Sequence, residues 1–287
     1  MRKIDPRVGV AGALAALLAI GGCASAQRGA AQTSHPAVVS PSVGQQKTVS
    51  EDLTERSWWF VRNTDHTTPR VDQAGARLVE KYEGIWIGPT DQKKVYLTFD
   101  NGYENGYTPK VLDALKRNHV PAIFFVTGHY VDSHPELVKR MVQEGHLVGN
   151  HTEHHPNLTK VSDEKLAQEL QSVSDKVEQL TGQKMRFMRP PEGTYNEHVL
   201  AQAKKLGYRT VFWTEAIADW KPLPGGPQEA HDKIVSGVHP GAVILLHAVS
   251  PDDVQVLDQM IRDIRAQGYT FERIDTILEH THTDVPS

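Results

Sequence analysis

A single cysteine, Cys23, occurs in 287 residues, which excludes any intramolecular disulfide and any zinc site built on a cysteine cluster. Basic charge is not in excess: 31 Lys+Arg stand against 35 Asp+Glu, a formal net charge of −4, so no field advertises nucleic acid or an anionic membrane. Long apolar runs are missing too. The longest, Val8 to Ile20, falls short of the roughly 20 residues needed to span a bilayer as a helix. The remaining composition is ordinary, with 39% hydrophobic and 23% charged residues, 22 Gly and 17 Pro. Those values exclude disordered, collagen-like and fibrous classes and leave enough chain to bury a sizeable core. What is plentiful is histidine, with 15 residues. A solvated surface and metal chemistry both explain such an excess.

Arg2, Lys3 and Arg7 precede the apolar run, the pattern of a secretory signal peptide. Ile20-Gly21-Gly22-Cys23 resembles a bacterial lipobox, whose cysteine is lipidated; cleavage after Ala24-Ser25-Ala26 is the alternative. Either way the protein is expected to be exported. Gln27 to Ser50 is rich in Ala, Gln, Ser, Val and Pro without apolar periodicity, a composition suited to a flexible tether. Folded sequence is expected to begin near Ser57-Trp58-Trp59-Phe60.

From Val95 onward short apolar runs alternate with helical patterns. Strands are expected at Val95 to Phe99, Ala122 to Val126, Leu147-Val148, Met185 to Met188, Tyr208 to Trp213, Ala242 to Leu246 and near Tyr269 to Phe271. Thr108-Pro109 opens one helix, Ser133 is expected to cap a second, and Ser250-Pro251 opens another. Leu166, Leu170, Val173, Val177 and Leu180 form one apolar stripe at helical spacing. A further helix is expected over Glu197 to Leu206. Repeated strand–helix units imply a parallel sheet, and about seven strands suggest an irregular (β/α) barrel smaller than the eightfold type of about 250 residues. A doubly wound open sheet is the alternative, although no Gly-rich phosphate loop follows the first strand.

The chemically capable residues follow strand ends: Asp100-Asn101, His129, His151, Arg189, Asp219-Trp220 and His247. In a parallel barrel those ends converge on one face, where active sites are built. His151 and His155, four apart, are expected on one face of a helical turn, a metal-chelating spacing. Thr152 stands where zinc proteases need Glu, and nucleobase deaminases need a cysteine pair that is absent. Taken singly, each motif has an ordinary reading: Asp100 as a turn or cap residue, Arg189-Pro190-Pro191-Glu192-Gly193 as a rigid turn, and His247 as a hydrogen-bonded structural histidine. His280 and His282 read as incidental.

Thr98-Phe99-Asp100-Asn101-Gly102, His151-Thr152-x-x-His155, Arg189-Pro190-Pro191, Asp219-Trp220 and Leu245-x-His247 resemble, in order and spacing, the five motifs of the polysaccharide deacetylases. These are the NodB-homology group, carbohydrate esterase family four, and the resemblance covers about Lys93 to Ile277. The string Asn101 to Pro109, with Trp59-Phe60 and His66-Thr67-Thr68-Pro69 upstream, looks more narrowly like the delta-lactam-biosynthetic peptidoglycan de-N-acetylases of spore cortex. With the N-terminal reading above, the chain is expected to divide into a signal peptide (1–22), a tether (23–52), an N-terminal extension packing on the barrel (53–92), a deacetylase domain (93–279) and a tail (280–287). The resemblance implies Asp100 as general base, oriented by Arg189, and His247 as general acid, supported by Asp219. His151, His155 and Asn101 would hold a divalent metal, with zinc first in line. Trp220, Leu245, Glu192 and Tyr103 would contact substrate, and a backbone N–H near Glu192 would help cradle the oxyanion.

Three departures qualify the resemblance. Asn101 replaces the family's usual Asp, which removes a negative charge from the metal site, although the lactam branch has Asn there too. Glu192 stands where Tyr or Arg is usual, and Ala216 where the motif before Asp219 begins with Asp. The expected activity is hydrolysis of N-acetyl groups of N-acetylmuramic acid in peptidoglycan, by a monomer lipid-anchored through Cys23 and without nucleic acid as a partner. N-acetylglucosamine of peptidoglycan or chitin oligomers is the alternative substrate. An inactive wall-binding protein is the alternative of another class, and a zinc peptidase is disfavoured by Thr152.

Overall fold

The computed structural model describes residues 51–280. The signal segment, Cys23, the tether up to Ser50 and His282 lie outside the described residues. Lys94–Asn101, Ala122–Val126, Leu147–Asn150, Phe187–Met188 and Arg209–Thr210 lie side by side in chain order, all parallel. Val243–His247 pairs with the other edge of Lys94–Asn101 and is followed outward by Glu215–Ala216. The seven strands curl into a half-barrel, and Thr270–Phe271 adds a short strand beside Lys94–Val95. A doubly wound sheet reverses its strand order at a switch point. Here the five strands from Lys94 to Thr210 run without a reversal, so the barrel reading holds.

Alternation along the strands sorts side chains into two faces. Tyr96, Ile123, Phe125, Phe187, Val211 and Val243 pack inside the curl. Leu97, Phe99, Phe124, Val126, Val148, Met188, Ile244 and Leu246 face the helices. By the same period Thr98, Asp100, Leu245 and His247 belong to the inner face. The helix Asp163–Thr181 lays Leu166, Leu170, Val173 and Val177 into the outer layer, each at most 1% exposed. Burial on that scale stabilises by about 1.5–3 kcal/mol per side chain.

Several elements differ from the sequence expectation. Ser133 ends the short helix Gly128–Ser133, capped by Thr127, and the next helix starts from His134 with Pro135 in its first turn. A proline there supplies its own helix start, so no serine cap is needed. Regular pairing shrinks to Phe187–Met188 and Arg209–Thr210, with Ile85 bridging Val211. The helix Gly226–Gly237 was not anticipated, because its apolar side is marked by few residues, Ala230, Ile234 and half-buried Val235. Contacts also begin before Ser57. His198 bonds Glu51 at 2.5 Å, the Asp52 N–H donates to Glu197 at 2.7 Å, and Arg56 pairs with Asp72. Arg56–Ser57 pairs with Thr194–Tyr195, while Trp58 stacks on Phe212 at 4.7 Å and donates its indole N–H to the Trp213 carbonyl. The N-terminal extension thus braces the strand ends that carry Glu192 and Trp213. Among the described residues, no helix is long and apolar enough to cross a membrane.

Candidate active site

Asp100 lies next to the end of its strand and His247 ends the neighbouring one; the two are register partners. His151 follows Asn150, and Arg189 follows Met188, each directly after its strand. Register on a parallel sheet therefore brings residues far apart in sequence to one rim.

Arg189 is wholly buried and its guanidinium is fully directed. Nη1 donates to Asp100 Oδ1 at 2.7 Å, Nη2 to Thr98 Oγ1 at 3.0 Å and Nε to the Val211 carbonyl at 3.1 Å. Its plane lies over Phe125 at 4.3 Å and near Trp213 at 5.5 Å, a cation–π environment that suits arginine rather than lysine. Burial pushes the Asp100 carboxyl upward, but the neighbouring positive charge, Arg189 foremost and then His247, outweighs it and holds the group below its ordinary value. Asp100 is thus an anion held on one oxygen, with the second 3.7 Å from His151 Nε2.

His151 Nδ1 lies 2.9 Å from the Arg189 carbonyl. A carbonyl only accepts, so Nδ1 carries the proton and Nε2 presents its lone pair, the form a metal ligand requires. Burial drives the His151 pKa down to about 4, which keeps the ring neutral. The His155 ring approaches within 4.8 Å at 74°. The pair does not share a helical turn as the spacing suggested. Residues 151–157 form a loop in which Thr152 (φ 68°) and His155 (φ 57°) take left-handed backbone. Fully buried Glu169 anchors that loop, accepting from the His154 N–H at 2.8 Å, from its Nδ1 at 2.9 Å and from Lys165.

Asn101 is wholly buried behind this rim; its Nδ2 donates to Thr108 Oγ1 at 3.2 Å, and its Oδ1 has no donor among the described residues. No hydrogen bond joins it to either histidine, and it does not line the cleft. Among the described residues, no group of three or more His, Cys, Asp and Glu is placed to hold a metal. A cation here would have two imidazoles and one neutral oxygen, and the orphaned amide oxygen fits that donor set.

His247 is fixed from behind by Asp219, whose Oδ1 bonds Nδ1 at 2.7 Å and whose Oδ2 accepts the His247 backbone N–H at 2.6 Å. Burial lowers the imidazole pKa, but Asp219 more than offsets this and the net shift is upward. Nε2 is left for the cleft, where Trp220 meets the ring edge-on at 5.3 Å.

The cleft has a volume of about 870 Å³. Asp100, His151, His155 and His247 line it together with all four residues expected to contact substrate: Tyr103, Glu192, Trp220 and Leu245. Arg189, Asp219 and Asn101 stand behind its wall. Glu192 takes φ 57° inside the turn Pro191–Gly193, which tips this segment over the cleft. Gly193 beside it is also left-handed, and an added Cβ would meet the Trp213 ring at 2.6 Å. Exposed His129 lines the cleft as well. Sequence reasoning missed Thr127, Glu153, His154 and Trp213, which complete the lining. Thr127 directly follows a strand end, which was an available signal; Trp213 read only as the last residue of an apolar strand.

A polysaccharide deacetylase family model matches residues 87–211. The chain is 47% identical over 233 residues to peptidoglycan-N-acetylmuramic acid deacetylase PdaA of Bacillus subtilis, covering 80% of this chain and 89% of that protein. The solved structure of that family 4 carbohydrate esterase superposes with a TM-score of 0.77 at 45% identity, over 80% of this chain and 99% of its own. A peptidoglycan-N-acetylglucosamine deacetylase of Bacillus cereus is 33% identical over 205 residues, 70% of this chain and 74% of that protein.

Proposed function

Because the chain belongs to the polysaccharide deacetylase family, we infer that it hydrolyses the acetamido group of N-acetylmuramic acid in peptidoglycan. The observation that carries the chemistry is the register pairing of Asp100 with His247, each backed by its own buried partner. Amide hydrolysis needs an activated water, a stabilised oxyanion and a proton for the departing amine. Asp100, kept anionic by Arg189, takes a proton from water as the oxygen adds to the acetyl carbonyl. A backbone N–H near Glu192 helps cradle the developing oxyanion. His247, cationic beside Asp219, gives its Nε2 proton to the sugar nitrogen as the C–N bond breaks. Acetate and a free amine result. Leu245 and Trp220 shape the acetyl pocket, and exposed Tyr103 offers a ring to the sugar.

His151 and His155, with Asn101 Oδ1, are the residues we assign to a divalent cation, zinc being the best match to imidazole ligands. Bound there, such a cation supplies Lewis-acid polarisation of a carbonyl oxygen.

The muramic acid assignment follows the B. subtilis relative named for that sugar. On muramic acid the freed amine lies near the lactyl carboxyl of the same residue, and condensation of the two gives the delta-lactam of spore cortex. An exported enzyme, tethered by residues 23–50 and lipid-anchored through Cys23, suits this insoluble substrate; Glu51 and Asp52 already bond to the folded domain. N-acetylglucosamine is the competing substrate, favoured by the B. cereus relative. Mass spectrometry of treated glycan separates the two: muramic acid or its lactam against glucosamine. Acetate release that stops in Asp100→Asn and His247→Ala supports the mechanism; wild-type turnover in both variants contradicts it.

A further inference from the structure

Of the deeply buried carboxyls that the proposed reaction does not use, Glu169 and Glu215 are ion-paired, whereas Asp253 has no ion pair among the described residues. Asp253 sits in the first turn of the helix Pro251–Ala266, and its N–H donates to Ser250 Oγ at 3.2 Å. In a reciprocal cap the acidic side chain would turn back to the Ser250 N–H. That N–H donates instead to the His247 carbonyl at 3.3 Å. Neither Asp253 carboxyl oxygen has a backbone N–H or a charged donor among the described residues, although the residue is only 3% exposed.

What the carboxyl meets is Asp219 and the neutral Ser250 hydroxyl, both within hydrogen-bonding reach, and Asp252 of its own helix. Both Asp219 oxygens are already engaged by His247, and Asp252 Oδ2 accepts the Leu223 N–H at 3.3 Å. Helices Thr108–Asn118 and Gly226–Gly237 pack on this helix, but their charged contacts fall farther along: Arg117 on Asp258 and His231 on Asp263. No cation therefore neutralises Asp253. Two adjoining buried carboxyls do not both ionise. His247 holds the negative charge on Asp219, so the proton resides on the other. Consistently, burial and Asp219 together push the Asp253 pKa well above its ordinary value.

We propose that Asp253 is a positioning residue: a neutral carboxylic acid that donates a hydrogen bond to Asp219 and so fixes the carboxylate that orients His247. The proposal rests on His247 as the general acid, but its first readout does not require turnover. The full chain at neutral pH is expected to show an infrared carboxylic-acid C=O band that disappears in Asp253→Asn; absence of that band from wild type overturns the proposal. In the deacetylation assay, Asp253→Asn keeps a donor without adding charge. It should retain wild-type kcat and an unmoved basic limb of the pH profile. Asp253→Leu removes the donor and should lower kcat about tenfold with KM little changed, the scale of one hydrogen bond to a charged group. A basic limb displaced to lower pH in Asp253→Asn would mean that a real negative charge had been removed, and wild-type kcat in Asp253→Leu would make the contact idle. Either result overturns the proposal. If wild type releases no acetate, the deacetylase reading falls while the infrared band still decides the protonation of Asp253.

Discussion

His247 is the register partner of Asp100 on the neighbouring parallel strand, with Asp219 behind one and Arg189 behind the other. The two functional groups are thereby polarised in opposite senses across one cleft: a carboxyl held anionic and an imidazole held cationic. A single active enzyme form needs both states at once, and the two buried partners widen the pH range over which they coexist.

The activity profile is expected to be bell-shaped, with the basic limb set by loss of the His247 proton. Asp219 raises that pKa, so the limb lies above the ordinary imidazole value. Asp219→Asn removes the supporting charge and should move the limb to lower pH while cutting kcat. Initial rates of acetate release across pH test this; activity that keeps rising into alkaline solution removes His247 from the acid role.

Arg189 and Asp100 form a buried ion pair, and removing one partner strands the other. Arg189→Met should cost about 3–5 kcal/mol of stability, measured by chemical denaturation. The double variant with Asp100→Asn should recover part of that loss, because the unpaired buried carboxylate is gone. Arg189→Lys should not restore wild-type behaviour, since a single ammonium cannot reach Asp100, Thr98 and the Val211 carbonyl as the fork does.

Zinc binding, followed by calorimetry without substrate, should be lost in His151→Ala and in His155→Ala. Asn101→Asp supplies a charged oxygen and should tighten binding by about tenfold or more. Unchanged affinity in that variant would remove Asn101 from the ligand set.

The Glu169 carboxylate holds the loop that carries both histidines. Glu169→Ala leaves the His154 N–H without its acceptor and should destabilise the fold by about 1–3 kcal/mol. Zinc affinity should fall with it, although the substituted side chain is no ligand. Full zinc affinity in a folded Glu169→Ala protein would show that the loop keeps its shape unaided.

The parts of the site that could be read from sequence are those where a polar residue interrupts or ends an apolar strand. Asp100, His151, Arg189 and His247 carry that signal because a barrel exposes side chains at its strand ends. The route by which His151 and His155 converge was not legible: a spacing of four is shared by a helical turn and by a loop with left-handed residues at 152 and 155. Glu169 lies three residues after Leu166, on the buried side of its helix, and a charge at such a place reads as an imperfection in the stripe until its partners are seen. Asp253 carries no distinct signal in the sequence, since its spacing from Ser250 is that of an ordinary cap. The helix Gly226–Gly237 was hidden by its small number of large apolar residues.

The most direct test is mass spectrometry of muramic-acid-containing glycan strands incubated with the wild-type protein and with Asp100→Asn. The account predicts loss of one acetyl group from N-acetylmuramic acid residues, with matching acetate release, in wild type alone. Deacetylation confined to N-acetylglucosamine, or unaltered glycan with the wild-type protein, would contradict it.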